Sequence, residues 1–191
     1  MGQEMTNKPK QSRGITLIEL MVTIAIAAGL IASAVPNFEE TIRNNRMVTQ
    51  INELHASLNF ARSEAIKRNS NITICRSSNG SSCTDDWKNG WIVFVDSNFN
   101  GSVDGEDVLR VHGAIFETNT LTFSQTRVIY RRNGLPRENS DGTFTLCDER
   151  GAEKARGLII SRLSGLAYLA TDSDSNEILN DGDDLDLACS S

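Results

Sequence analysis

The sequence predicts an α+β chain in which one long helix precedes a set of short antiparallel strands. Three observations carry this expectation. An apolar run lies near the N-terminus, an amphipathic repeat follows it, and beyond Ser70 short alternating runs are broken by Gly, Asn, Asp and Ser. With 191 residues, 39% hydrophobic and 23% charged, the chain suits one globular domain plus an appendage. Lys and Arg total 19 against 25 Asp and Glu, a formal charge of −6, so no overall cationic field favours nucleic acid or an anionic membrane surface.

Residues 1–14 are polar and carry Lys8, Lys10 and Arg13, whereas Ile15 to Val35 is apolar with Glu19 as its only charge. At ~1.5 Å per helical residue this run matches a bilayer core of roughly 30 Å and can span it. Basic residues before it and acidic bulk after it place the N-terminus in the cytoplasm and the remainder outside. Pro36 ends the run, and its missing N–H and bulky ring predict a kink or local melting near 32–35. The helix is expected to resume over 36–69, because Ile51, Leu54, Leu58, Ala61 and Ala65 recur at three- and four-residue intervals while Glu53, Arg62, Glu64 and Lys67 point elsewhere.

Strands are expected at Ile72–Arg76, Gly90–Val95, Val108–His112, Leu121–Phe123, Arg127–Arg131, Thr143–Cys147, Gly157–Ser161 and Leu166–Ala170, which makes 70–191 the β-rich globular part. His55 and His112 are the only histidines and sit in no ligand pattern. The chain has no G-x-S-x-G, G-x-G-x-x-G, Walker or CxxC motif, so nothing points to catalysis. Cys75, Cys83, Cys147 and Cys189 allow three pairings. The favoured one joins Cys75 to Cys83 across a polar loop and Cys147 to Cys189, tying the acidic tail to a core strand.

Asp96, Asn98, Asn100, Asp104 and Asp107 fit a twelve-residue calcium loop, with Gly101 sixth and Val103 eighth. The competing expectation is a hairpin loop whose Asn, Asp and Gly only supply turn conformations. No other cofactor is expected. A second acidic stretch, Asp172, Asp174, Asn176, Asn180, Asp181 and Asp183, reads as a solvated turn.

Arg13-Gly14-Ile15-Thr16-Leu17-Ile18-Glu19-Leu20, behind a short basic leader, resembles the class III signal of type IV pilins and type II secretion pseudopilins. That resemblance implies cleavage by a prepilin peptidase between Gly14 and Ile15, N-methylation of Ile15, and a Glu19 that pairs with the Ile15 ammonium of a neighbouring subunit. Ile15 departs from the Phe usual there. Pro36 also stands where pilins commonly carry proline. The segment from Ile72 to His112, with Trp87, Trp91 and Phe94, resembles the globular part of the GspH/FimT family, which includes FimU-like minor pilins.

The family implies a non-enzymatic minor pilin near the tip of a type IV pilus. Its implied partners are other minor and major pilins, the prepilin peptidase, the assembly platform and the inner membrane. The alternative within the family is the H-type minor pseudopilin of type II secretion. Relatives that act as DNA receptors carry a Gly-Arg-x-Arg turn, which reads Gly165-Leu166-Ala167-Tyr168 here. The cluster Arg127, Arg131, Arg132 and Arg137 remains, but on an acidic domain it suits a solvated edge or subunit contact better than DNA.

Overall fold

The computed structural model describes residues 14–84 and 86–189, and of 32–37 only the backbone. The basic leader positions Lys8, Lys10 and Arg13 lie outside the described residues. The chain divides into two units, Met1–Arg43 and Asn44–Ser191.

Helix α1 runs from Leu17 to Arg68. Its backbone stays helical through Pro36, so the local melting expected at 32–35 is absent; one lost donor leaves the neighbouring helical turns in place. The helix ends where Asn69 turns into the left-handed region at φ 49°. There Asn69 N–H donates to Ile66 O at 3.3 Å and Ser70 N–H to Ala65 O at 3.2 Å, the two bonds of a Schellman stop.

In the first unit, the described apolar side chains of the run are exposed, from Ile15 and Leu17 to Ile31. No helix among the described residues is long and apolar enough to cross a membrane by itself. The side chains of 32–35, the last part of the apolar run, fall outside the description.

The second unit is two four-stranded antiparallel sheets against the C-terminal part of α1. The strands are β1 Ile72–Arg76, β2 Trp91–Val95, β3 Val108–His112, β4 Thr120–Thr122, β5 Arg127–Tyr130, β6 Gly142–Cys147, β7 Arg156–Ile160 and β8 Ala167–Leu169. The first sheet has the order β3-β2-β1-β5 and the second β4-β6-β7-β8. Every strand expected from sequence forms, with ends shifted by at most one residue. The expected stripe Ile51, Leu54, Leu58, Ala61 and Ala65 is buried, with Met47 added. It packs on Ile72, Ile74, Trp91 and Val93 from one sheet and Phe144, Leu146, Leu158 and Ile160 from the other. Trp87 meets Phe144 edge-on at 4.9 Å, closing the core.

Each sheet also carries a small apolar cluster away from this core. On the first sheet Cys75, Ile92 and Phe94 meet Cys83, Val103 and Val108. On the second, Cys147, Ala155, Ile159, Ala170 and Leu187 meet Leu179 and Cys189. Both satellite clusters contain a disulfide, so each bridge pins a connecting segment over a sheet.

Candidate functional site

The junction expected to be processed, and the helix start that follows it, are built from residues 14–19. Gly14, Ile15 and Thr16 precede the helix, and the Gly14–Ile15 junction is exposed, with Ile15 at 75%. An accessible bond outside regular secondary structure is what a peptidase needs. Thr16 then caps α1: its Oγ1 accepts from Glu19 N–H at 3.3 Å, and its carbonyl accepts from Leu20 N–H at 3.1 Å. Thr16-Leu17-Ile18-Glu19 is thus the Thr-x-x-Glu spacing of a capping box. The sequence reading missed that signal. It gives Glu19 a second reason for its place, since a carboxylate in the first helical turn complements the partial positive charge of the helix start.

Both favoured cysteine pairs form. Cys75 and Cys83 lie 5.6 Å apart at Cα, and Cys147 and Cys189 5.9 Å. The second pair holds the tail that Leu179 and Leu187 press against β7.

The Asp96–Asp107 loop joins β2 to β3. Asp96 is fully buried; its Oδ2 accepts from Thr73 Oγ1 at 2.7 Å and Gly101 N–H at 3.0 Å. Asn98 Oδ1 accepts Asn100 N–H and Asn100 Oδ1 accepts Ser102 N–H, while both Asn amino groups donate to Asp104 Oδ2. Asp107, to which the spacing gives the closing role, enters the sheet through its backbone. It is exposed and its carbonyl accepts from Val95 N–H at the start of the β2–β3 ladder. Glu106 closes the loop instead, accepting from Ser97 and Asp104 N–H. Among the described residues no three Asp, Glu, His or Cys groups converge as a metal cage.

Two of the four clustered arginines are spent on this loop. Arg127 Nη1 donates to the carbonyls of Asn100 at 3.1 Å and Gly101 at 2.5 Å. Arg137 lies 4.9 Å from the centre of the Phe99 ring and reaches Phe99 O at 3.4 Å. Arg131 and Arg132 stay exposed. The histidines stand apart as well. His55 Nε2 is 2.9 Å from Ala167 O, whereas His112 stacks on Trp91 at 3.9 Å and faces Glu53 Oε2 at 3.1 Å.

In the second acidic stretch, burial pushes the Asp172 carboxyl up, but the Glu177 and Ser175 amides it accepts outweigh this and hold it below its ordinary value. Asp181 Oδ1 likewise accepts from Asp183 and Leu185 N–H. These carboxylates serve the turn itself.

A long N-terminal helix, apolar and Glu-bearing in its first part and packed on antiparallel sheets in its last, defines the type IV pilin-like fold. The comparisons agree. The model of the type II transport protein GspH matches residues 50–165, and that of the prokaryotic N-terminal methylation motif matches 9–35. The chain belongs to the GspH family. It is similar to the type IV minor pilin FimU of Pseudomonas aeruginosa. In one crystal form the identity is 26% with a TM-score of 0.56, over 68% of this chain and 91% of that one. In a second crystal form these values are 27% and 0.50, over 63% and 89%. No curated protein sequence matches significantly. Family and fold are those of structural pilins, which are not enzymes, and the methylation motif is that of inner-membrane-anchored pilins.

Proposed function

We propose that this chain is a FimU-like minor pilin with a structural role in building a type IV pilus, placed near the filament tip. The observation that carries this reading is the likeness to FimU, which extends over nearly the whole of that protein's crystallised chain. Prepilin peptidase cuts between Gly14 and Ile15 and methylates the new amine. The helix from Ile15 to Val35 anchors the precursor in the inner membrane, N-terminus in the cytoplasm and globular part in the periplasm. In the filament the same apolar surface packs against other pilins. This accounts for exposed apolar side chains from Ile15 to Ile31, which no described residue of the chain covers.

Glu19 attracts the Ile15 ammonium of the adjacent subunit and sets register as the assembly platform adds subunits. The charge pair lies among apolar helices, where an unpartnered carboxylate is costly. Pro36 sits at the end of this packing segment.

The second reading is the H-type minor pseudopilin of type II secretion, favoured by the description of the matching family model. Deletion separates the two. A strain lacking the gene that loses surface pili while secreting normally supports the pilus. Normal piliation with loss of secreted enzymes supports the pseudopilus. DNA uptake has little support, because the Gly165 turn carries no arginine and Arg127 and Arg137 are engaged within the domain.

A further inference from the structure

Asp96 carries the one unexplained feature of the β2–β3 loop. Its carboxylate is fully buried, and Oδ2 is satisfied twice, by Thr73 and by Gly101. Oδ1 is buried and accepts no hydrogen bond from any described residue. An anionic oxygen left so in a dry interior costs more than the turn it supports returns, unless a cation or water meets it.

The surroundings favour a cation. Asn98 Oδ1 and Asn100 Oδ1 each accept one backbone N–H, which leaves each a second lone pair. Asp104 contributes a carboxylate whose Oδ2 draws both Asn amino groups. Gly101, at φ 71°, makes the sharp sixth-position turn that such loops need, and its N–H holds Asp96 Oδ2. Val103, eighth, anchors the loop in the satellite cluster beside Phe94. Arg127 grips the Asn100 and Gly101 carbonyls and so fixes the backbone of the loop.

We propose that Asp96, Asn98, Asn100 and Asp104 form a weak calcium site, with Asp96 Oδ1 as its buried ligand. Hard oxygen donors of irregular arrangement suit calcium better than magnesium, which demands near-ideal octahedral geometry. Two carboxylates and two amides, without a bidentate closing Glu, place the affinity with the weakest calcium loops, at a Kd of about 10⁻⁴–10⁻³ M. Asp107, exposed beside β3, stands outside the proposed ligand set.

The test is calorimetric titration and thermal unfolding of the full chain in detergent after chelation, with calcium and magnesium in parallel. Asp96→Asn disturbs the turn as well as the site, so the informative variants are Asp104→Asn and Asn98→Ala, with Asp174→Asn as a control in the second acidic loop. The proposal expects one calcium per chain and a Tm that rises with calcium and less with magnesium. It also expects at least tenfold weaker binding in Asp104→Asn and Asn98→Ala, and unchanged binding in Asp174→Asn. No calcium response in that concentration range, as expected if only water meets Asp96, overturns it. So does a response that survives Asp104→Asn and disappears in Asp174→Asn.

Discussion

Arg62 of the helix donates Nε to Gly134 O at 3.0 Å, and its Nη2 reaches Ser164 O at 3.2 Å. One guanidinium thus joins α1 to the turn after β5 and to the turn between β7 and β8, and so to both sheets. Charge-assisted bonds of this kind contribute roughly 1.5–3 kcal/mol each, and loss of their donor leaves two carbonyls to find other partners. Arg62→Ala is expected to destabilise the domain by about 2–4 kcal/mol. Chemical denaturation of the full chain in detergent measures this.

The same joint depends on Gly165, which adopts φ 67°; a Cβ there would stand 2.2 Å from Gly134 O. Backbone cannot move aside as a flexible side chain can. Gly165→Ala is therefore expected to cost about 1–3 kcal/mol through strain and displacement. Gly105→Ala, also at positive φ but with open space around it, is expected to cost less. Unequal losses of Tm check the comparison.

The two disulfides differ in the chain they close, with separations of 8 and 42 residues. In the chain-entropy account removing them costs about 2.5 and about 4 kcal/mol respectively. The expected signature of Cys147→Ser with Cys189→Ser is local, because the tail carrying Leu179 and Leu187 loses its tether to the second sheet. Limited proteolysis is expected to clip this variant after about residue 170 before the domain is cut elsewhere.

Glu64 is held below the ordinary carboxylate value of 4.5 chiefly by its hydrogen bond with Arg68, with burial opposing and Lys67 assisting. Because the folded-state pKa is the lower one, its contribution is fully present above about 4.5 and is lost as pH falls through the folded value. Glu64→Gln is expected to flatten the acid side of the stability–pH curve and to leave its neutral-to-alkaline shape unchanged. Denaturant midpoints between pH 3 and 7 read this out.

Much of the fold was legible because its signals are periodic. The three- and four-residue spacing from Ile51 to Ala65 marks the buried stripe, and alternation broken by Gly and Asn marks all the strands. What escaped were individual polar residues whose partners are distant in sequence. Glu64 and Arg62 read only as charges pointing away from the apolar stripe, yet Glu64 is buried beneath Arg68 and Arg62 reaches across to Gly134 and Ser164. No spacing rule announces a contact 72 positions away. At the helix start the Thr16–Glu19 cap is a signal that the sequence analysis passes over, whereas Glu19 stands out because a charge in an apolar run is conspicuous. In the β2–β3 loop, spacing singled out Asp107, but the ladder takes its backbone and leaves Glu106 to close the turn.

The proposed function requires that this chain be matured at Gly14–Ile15 and built into a filament. The most direct test is intact and peptide mass spectrometry of pili sheared from wild-type cells and from cells lacking the prepilin peptidase. The expected result is trace amounts of a chain beginning at N-methylated Ile15 in wild-type pili, and only the full-length precursor, retained in the membrane, without the peptidase. A chain that keeps Met1–Gly14 in wild-type cells, or one cut beyond Val35 and released, would contradict it.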